Sequence, residues 1–159
     1  MAHSAAVRAA PNVYADDQGP EDAQPARWTF VSEAYFRVMG MPILRGHSFE
    51  ARDTSGAALS IIVSAEFERR VLGGDAVGRH VRLDKFTVMN VIGVVPDVKL
   101  RSLTEEPHPD FYSMLAAQIA PPDAVHYVLI RPAGDPGAFV PALRDAIEHG
   151  DSPMFVTSA

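Results

Sequence analysis

Residues 31–49, VSEAYFRVMGMPILRGHSF, hold a strand end, a short helix and a second strand in nineteen residues. Ser32 is placed to cap the helix, because its hydroxyl can accept an orphan N–H of the first turn. Tyr35, Phe36 and Met39 fall at i, i+1 and i+4, one apolar face at helical spacing. Gly40 ends the helix as a residue that tolerates positive φ. Pro42 cannot continue a helix and pre-sets an extended backbone. Ile43-Leu44 reads as a buried strand, and Gly46 turns the chain. All of this is architecture, and no residue pair in the stretch does chemistry by itself.

Upstream, Trp28-Thr29-Phe30-Val31 is β-prone and alternating, and reads as the first strand. Residues 1–26 are dominated by Ala, Pro, Asp and Gln, with Val7, Val13 and Tyr14 scattered among them. Such a stretch is expected to be a disordered linker or tail, since it offers little apolar surface to offset its ordering entropy. The folded domain is accordingly expected over residues 27–159.

Downstream, residues 60–63 form a short apolar strand, and Ser64 is placed to cap a helix over residues 65–71. Phe67 and Val71 share its inner face, while Glu66 and Arg70 form an exposed i, i+4 ion pair. Gly73-Gly74-Asp75 makes a tight turn. Residues 80–83 and 86–95 form a hairpin turning at Asp84-Lys85. Its second arm, FTVMNVIGVV, is apolar enough for burial on both faces, and Gly93 marks a bulge or a close packing contact. Strands follow over residues 111–115 and 125–131. A helix runs from after Gly137 to about His149, with Pro141 in its first turn and Gly150 as its cap. A last strand begins at residues 154–156. This order predicts an α+β fold, a mixed sheet built from split βαβ units with short helices packed on it.

The chain of 159 residues is long enough for one domain with a real core, or for two small lobes. Its net charge of −6 argues against nucleic acid, whose phosphates need clustered Lys and Arg, and against a polybasic membrane patch. It has no cysteine, which excludes disulfides and thiolate metal sites. No apolar run approaches the length of a membrane span, and no basic stretch precedes an apolar one as in a signal peptide.

Chemistry-bearing motifs are sparse. There is no Walker loop, dinucleotide glycine fingerprint, G-x-S-x-G elbow or H-E-x-x-H. His47, His80, His108, His126 and His149 lack the helical spacing of a metal pair. Glu105-Glu106 beside Pro107 reads as a solvated loop. Asp97 stands at a strand C-terminus, where α/β sites often form, although Pro96-Asp97 is also ordinary turn chemistry. Gly73-Gly74-Asp75 follows a helix, so the dipole points the wrong way for an anion. Trp28 and Tyr35 are candidates for stacking a ligand, with core packing the stronger reading. The expectation is no cofactor, no metal and no catalytic residue. Trp28, Tyr35, Asp97, Tyr112 and His126 are the candidate ligand or partner contacts.

Taken in order, these stretches resemble the MacB-like periplasmic core domain of FtsX-like ABC transporter permeases. VSEAYFRVMGMPILRGHSF is similar to a pattern of Val-Ser, two residues, Tyr-Phe, then Gly-Ile-Pro and Gly-Arg-x-Phe. Residues 61–83, IIVSAEFERRVLGGDAVGRHVRL, are similar to a strand and helix followed by Gly-Asp-Pro-Ile-Gly. Residues 86–112 are similar to Thr-Val-x-Gly-Val-Val-x-Asp-Val with a later Pro-x-x-Tyr. Departures are Glu33-Ala34 for Pro-Gly, Met41 for Ile, His47 for Arg, Ala76 for Pro and Pro96 for Gly. His47 is shorter than that arginine and lacks its planar five-donor fork, so the family's contacts through that arginine are not carried over to it.

The resemblance covers residue 28 onward and implies the C-terminal portion of such a domain, between two membrane helices. It implies a non-catalytic extracytoplasmic domain that relays conformational change and contacts substrate or partner proteins. The implied partners are the permease's transmembrane helices, a separate ATP-binding subunit or domain across the membrane, and a periplasmic protein. A homodimer through an unpaired strand edge is a further expectation. The alternative from the residues themselves is a soluble ligand-binding or sensor module, which needs a concave apolar pocket.

Overall fold

The computed structural model describes residues 2–7, 10–54, 58–98, 106–114, 127–130, 132 and 134–148. The strands are β1 (Ala2–Val7), β2 (Asn12–Ala15), β3 (Gln24–Pro25), β4 (Arg27–Val31), β5 (Arg45–Gly46), β6 (Leu59–Ser64), β7 (His80–Arg82), β8 (Val88–Val95), β9 (Asp110–Met114) and β10 (Tyr127–Ile130). The α-helices are α1 (Tyr35–Met39), α2 (Ala65–Val71) and α3 (Pro136–Glu148). The chain divides into two compact units, His3–Leu129 and Ile130–Ala159 with the first two residues.

The larger unit is built on one mixed sheet in the order β10-β1-β4-β9-β6-β8-β7-β2-β3, with β5 pairing β8. β4 and β9 are parallel, as are β6 and β8, and β9 runs antiparallel to β6 between them. The α+β class and the mixed sheet with short helices are thus present. Alternate residues of each strand face opposite sides. On one side Trp28, Phe30, Ile61, Val63, Val91 and Phe111 pack under Phe67 and Val71 of α2. On the other, Val31, Ile62, Val95 and Tyr112 pack under Tyr35 and Phe36 of α1. Helices of five and seven residues are too short to persist alone in water, so burial of these side chains holds them in place. Each fully buried Phe contributes roughly 1.5–3 kcal/mol.

Several expectations need correction. Residues 1–26 are not simply a linker: β1, β2 and β3 join the sheet, and Val13, Tyr14 and Ala15 are buried. The few apolar residues there suffice because β2 docks onto β7, which supplies the rest of the surface. Ser32 does not cap α1 with its side chain. Ala34 occupies the N-cap position, and the Ser32 carbonyl accepts from Tyr35 N at 3.0 Å. Gly40 ends α1 at φ 69°, as the glycine implied. Leu44 is 50% exposed, and the strand falls two residues later at Arg45–Gly46. Glu66 is buried, and not an exposed member of a surface pair.

β8 carries the bulge expected near Gly93. Ile61 pairs with Val91 and Ile62 with Gly93, leaving Ile92 as the extra residue. The insertion shifts the alternation, so Val91 and Val94 face one core while Ile92 and Val95 face the other. In the smaller unit α3 begins at Pro136, where the missing N–H costs nothing. The Asp135 carboxylate accepts from Gly137 N at 3.0 Å. Pro141 therefore stands in the second turn, not the first. The strand expected over residues 154–156, Gly150, His149 and Glu105 lie outside the described residues.

Candidate functional site

Three polar groupings meet where β6 and β8 end and β4 and β9 begin. Ser64 is the hub. Its Oγ accepts from Phe67 N (3.1 Å), which caps α2, and from Asp110 N (3.1 Å), and it donates to the His108 carbonyl (3.4 Å). One hydroxyl thus ties helix α2 to the start of β9.

Beside it lies a buried ion pair. Arg27 Nε donates to Asp110 Oδ1 at 2.5 Å and Nη2 to Oδ2 at 2.7 Å, a two-pronged contact between the first residues of β4 and β9. Arg27 N donates to the Pro109 carbonyl at 2.8 Å. The planar guanidinium fork matches the carboxylate, so the contact also fixes strand register.

Asp97, just past β8, accepts from Glu66 N at 2.7 Å. The Glu66 carboxylate accepts from Arg69 (2.6 and 2.9 Å) and also pairs with Arg70. The hydrogen bond from Arg69 holds its carboxyl below the usual range. Midway along α2, Glu68 accepts from Ala76 N at 3.0 Å and pairs with Arg45 of β5.

The sequence candidates separate in space. Trp28 is buried on the α2 side, stacked on Phe111 with ring centroids 5.3 Å apart, and its Nε1 donates to Ser113 Oγ at 2.7 Å. Tyr35 and Tyr112 come together on the α1 side, with centroids 5.9 Å apart, and both are buried. Asp97 is exposed, but its carboxylate serves α2. His126 lies outside the described residues. The aromatic candidates are core. Arg27, Asp110 and the three-way role of Ser64 were missed. The signal available was a charged residue immediately before each of the apolar runs WTFV and FYSM.

Burial pushes the Tyr112 hydroxyl well above its ordinary value of 10.0, and the nearby Asp110 carboxylate adds to this while Arg27 opposes it. Tyr35 is raised for the same reasons. Both stay neutral in the fold after they would ionise in the unfolded chain. The unfolded state then binds fewer protons, so stability is intact below pH 10 and falls above it. The expected slope is about 1.4 kcal/mol per pH unit for each tyrosine. Urea denaturation between pH 9 and pH 11 checks this, and Tyr112→Phe should remove its share of the slope. Ser64→Ala should cost about 2 kcal/mol in the same assay, since it removes a cap and a second buried contact.

The arrangement is therefore that of polar staples in a mixed-sheet α+β domain. The chain belongs to the MacB-like periplasmic core domain family, whose profile matches residues 2–149. That class consists of periplasmic domains of ABC transporter permeases. Solved structures similar to this chain include the following three. The periplasmic region of MacB from Actinobacillus actinomycetemcomitans superposes with a TM-score of 0.68 at 16% identity, over 93% of this chain and 65% of that one. A domain assigned to a permease protein of Porphyromonas gingivalis gives 0.62 at 18%, over 95% and 65%. The extracellular domain of the noncanonic ABC-type transporter YknZ from Gram-positive bacteria gives 0.68 at 14%, over 93% and 72%. The chain thus spans 65% of the length of the first two. A search of curated proteins finds no significant match.

Proposed function

We propose that this domain relays the conformational cycle of an ABC transporter permease, on the extracytoplasmic side, to substrate or partner proteins, with no catalytic step of its own. Its partners on this reading are the permease's membrane helices, an ATP-binding subunit or domain across the membrane, and a periplasmic protein. The observation that carries the reading, beside family membership, is the seam at Ser64, Asp110 and Arg27. It joins both parallel strand pairs and α2 at one end of the sheet. A relay must move as a body, and buried paired groups resist the local opening that would dissipate the movement. The competing sensor reading gains nothing from Trp28, Tyr35 and Tyr112, which are packed into cores.

The test uses the whole transporter in membranes, with one spin label at exposed Glu21 and a second on the membrane portion. The distance between them should change between the nucleotide-free and nucleotide-bound states. Identical distances would overturn the relay and leave the family assignment untouched.

A further inference from the structure

The β7–β8 hairpin ends in an apolar side chain with nowhere to go. Phe86 is 93% exposed. The turn that carries it is braced from within. Asp84 accepts from Phe86 N (2.7 Å), Thr87 N (2.7 Å) and Thr87 Oγ1 (3.1 Å). Leu83 N donates to the Thr87 carbonyl (3.1 Å), and Arg82 Nη1 to the Lys85 carbonyl (3.3 Å). These main-chain polar groups are already satisfied, so dehydrating the tip leaves few orphaned donors or acceptors. Of the charges around it, Asp84 is held by these bonds and Arg82 pairs with Asp16. Lys85 is exposed and in no ion pair among the described residues. The tip therefore presents one bare phenyl ring beside one free ammonium.

We infer that Lys85 and Phe86 form a membrane contact, in which the ring enters the interfacial layer of a lipid bilayer and the ammonium stays among anionic headgroups. The inference rests on the permease reading, which keeps a bilayer tethered to the domain. A protein partner fits less well. Among the described residues of this unit, the other strongly exposed apolar side chains lie elsewhere. Leu44 bonds to Val94 at the opposite end of β8, and Val77 precedes β7 at the end away from the turn. A lone ring lacks the clustered anchors of a protein interface. Its burial falls well short of the cost of bringing two free bodies together. A surface to which the polypeptide is already anchored waives most of that cost, because attachment raises the effective concentration. An aromatic ring at headgroup depth with a lysine reaching the phosphates suits that surface.

The test places a tryptophan at the tip by Phe86→Trp. Trp28 is the sole native tryptophan and is buried, so its emission is a constant background. The full chain is tethered through a histidine tag, at either end in turn, to nickel-chelating vesicles of phosphatidylcholine with phosphatidylglycerol. A blue shift and reduced acrylamide quenching in at least one tether are expected, with most of the shift lost on adding Lys85→Glu. Solvent-like emission in both tethers overturns the inference, as does a shift indifferent to Lys85→Glu. A shift seen with native membranes but not with protein-free vesicles also overturns it, in favour of a protein partner. The permease reading is tested separately by whether the gene encodes membrane spans flanking this domain. A chain with such spans and a solvent-like tip loses only the tip contact.

Discussion

Asp110→Ala is expected to lower the unfolding free energy by about 3–5 kcal/mol, the usual cost of removing one member of a buried ion pair. The reason is the guanidinium left behind. Arg27 and Asp110 are both buried and joined by two short hydrogen bonds. Removing the carboxylate leaves a cation in a place where water cannot replace both bonds. A domain of this size has roughly 5–15 kcal/mol to lose, so the variant is expected to be partly unfolded at moderate temperature. The double change Arg27→Met with Asp110→Leu removes both charges, and should recover most of the loss, because a buried pair is often no better than well-packed apolar residues. Urea denaturation of the three variants measures this. A cost under about 1 kcal/mol for Asp110→Ala would mean that the pair is solvated, since exposed pairs are worth no more.

The same substitution has an electrostatic signature. Asp110 is one of the groups holding the Tyr35 and Tyr112 hydroxyls above their ordinary value. Without it, both should ionise at lower pH, so the alkaline loss of stability should level off at a lower pH. A structural collapse would instead release both tyrosines to their ordinary value together. Ultraviolet titration of tyrosinate therefore separates loss of the charge from loss of the fold.

The sequence disclosed what depends on neighbours along the chain. Ser64 before a run with Phe67 and Val71 at helical spacing gave the capped helix α2, and Gly40 gave the end of α1. The alternating and continuous apolar runs gave β4, β6, β8 and β9. What stayed hidden depends on partners far away in sequence. Arg27 and Asp110 are 83 residues apart, and no local pattern couples them. Asn12–Ala15 looked like linker because a short strand at the side of a sheet needs only Val13 and Ala15 to face the core, and its pairing with β7 is invisible locally. Tyr35 and Tyr112 stood among the candidate ligand or partner contacts because an aromatic in sequence carries no mark of whether a helix will close over it. The site was the less legible part for that reason: its members are assembled by the sheet order, which the residues specify only collectively.

Gly46→Val should be at least as damaging as the loss of Asp110, on the order of 4 kcal/mol or more, among the largest single-residue effects. Two costs combine. Gly46 sits at φ +75°, which a β-branched residue scarcely tolerates. A Cβ there would also stand 2.1 Å from the Ile92 carbonyl oxygen and 2.9 Å from Gly93 Cα. Both are backbone atoms of β8 at its bulge, so neither can swing aside as a side chain would. Gly93 faces Gly46 across the β5–β8 pair, and a Cβ on it would lie 2.6 Å from the His47 carbonyl oxygen. The two glycines thus allow β5 to lie against the bulge, and Gly93→Ala should be severe although Gly93 needs no positive φ. Gly73→Ala supplies the control. At φ +68° it carries the same backbone strain, but its Cβ would meet nothing within 4 Å. It should cost only about 1–2 kcal/mol. If thermal melting ranks Gly46→Val with Gly73→Ala, strain alone explains Gly46. If Gly46→Val and Gly93→Ala fall together well below Gly73→Ala, close backbone approach is the requirement, and the bulge is what holds β5 in register.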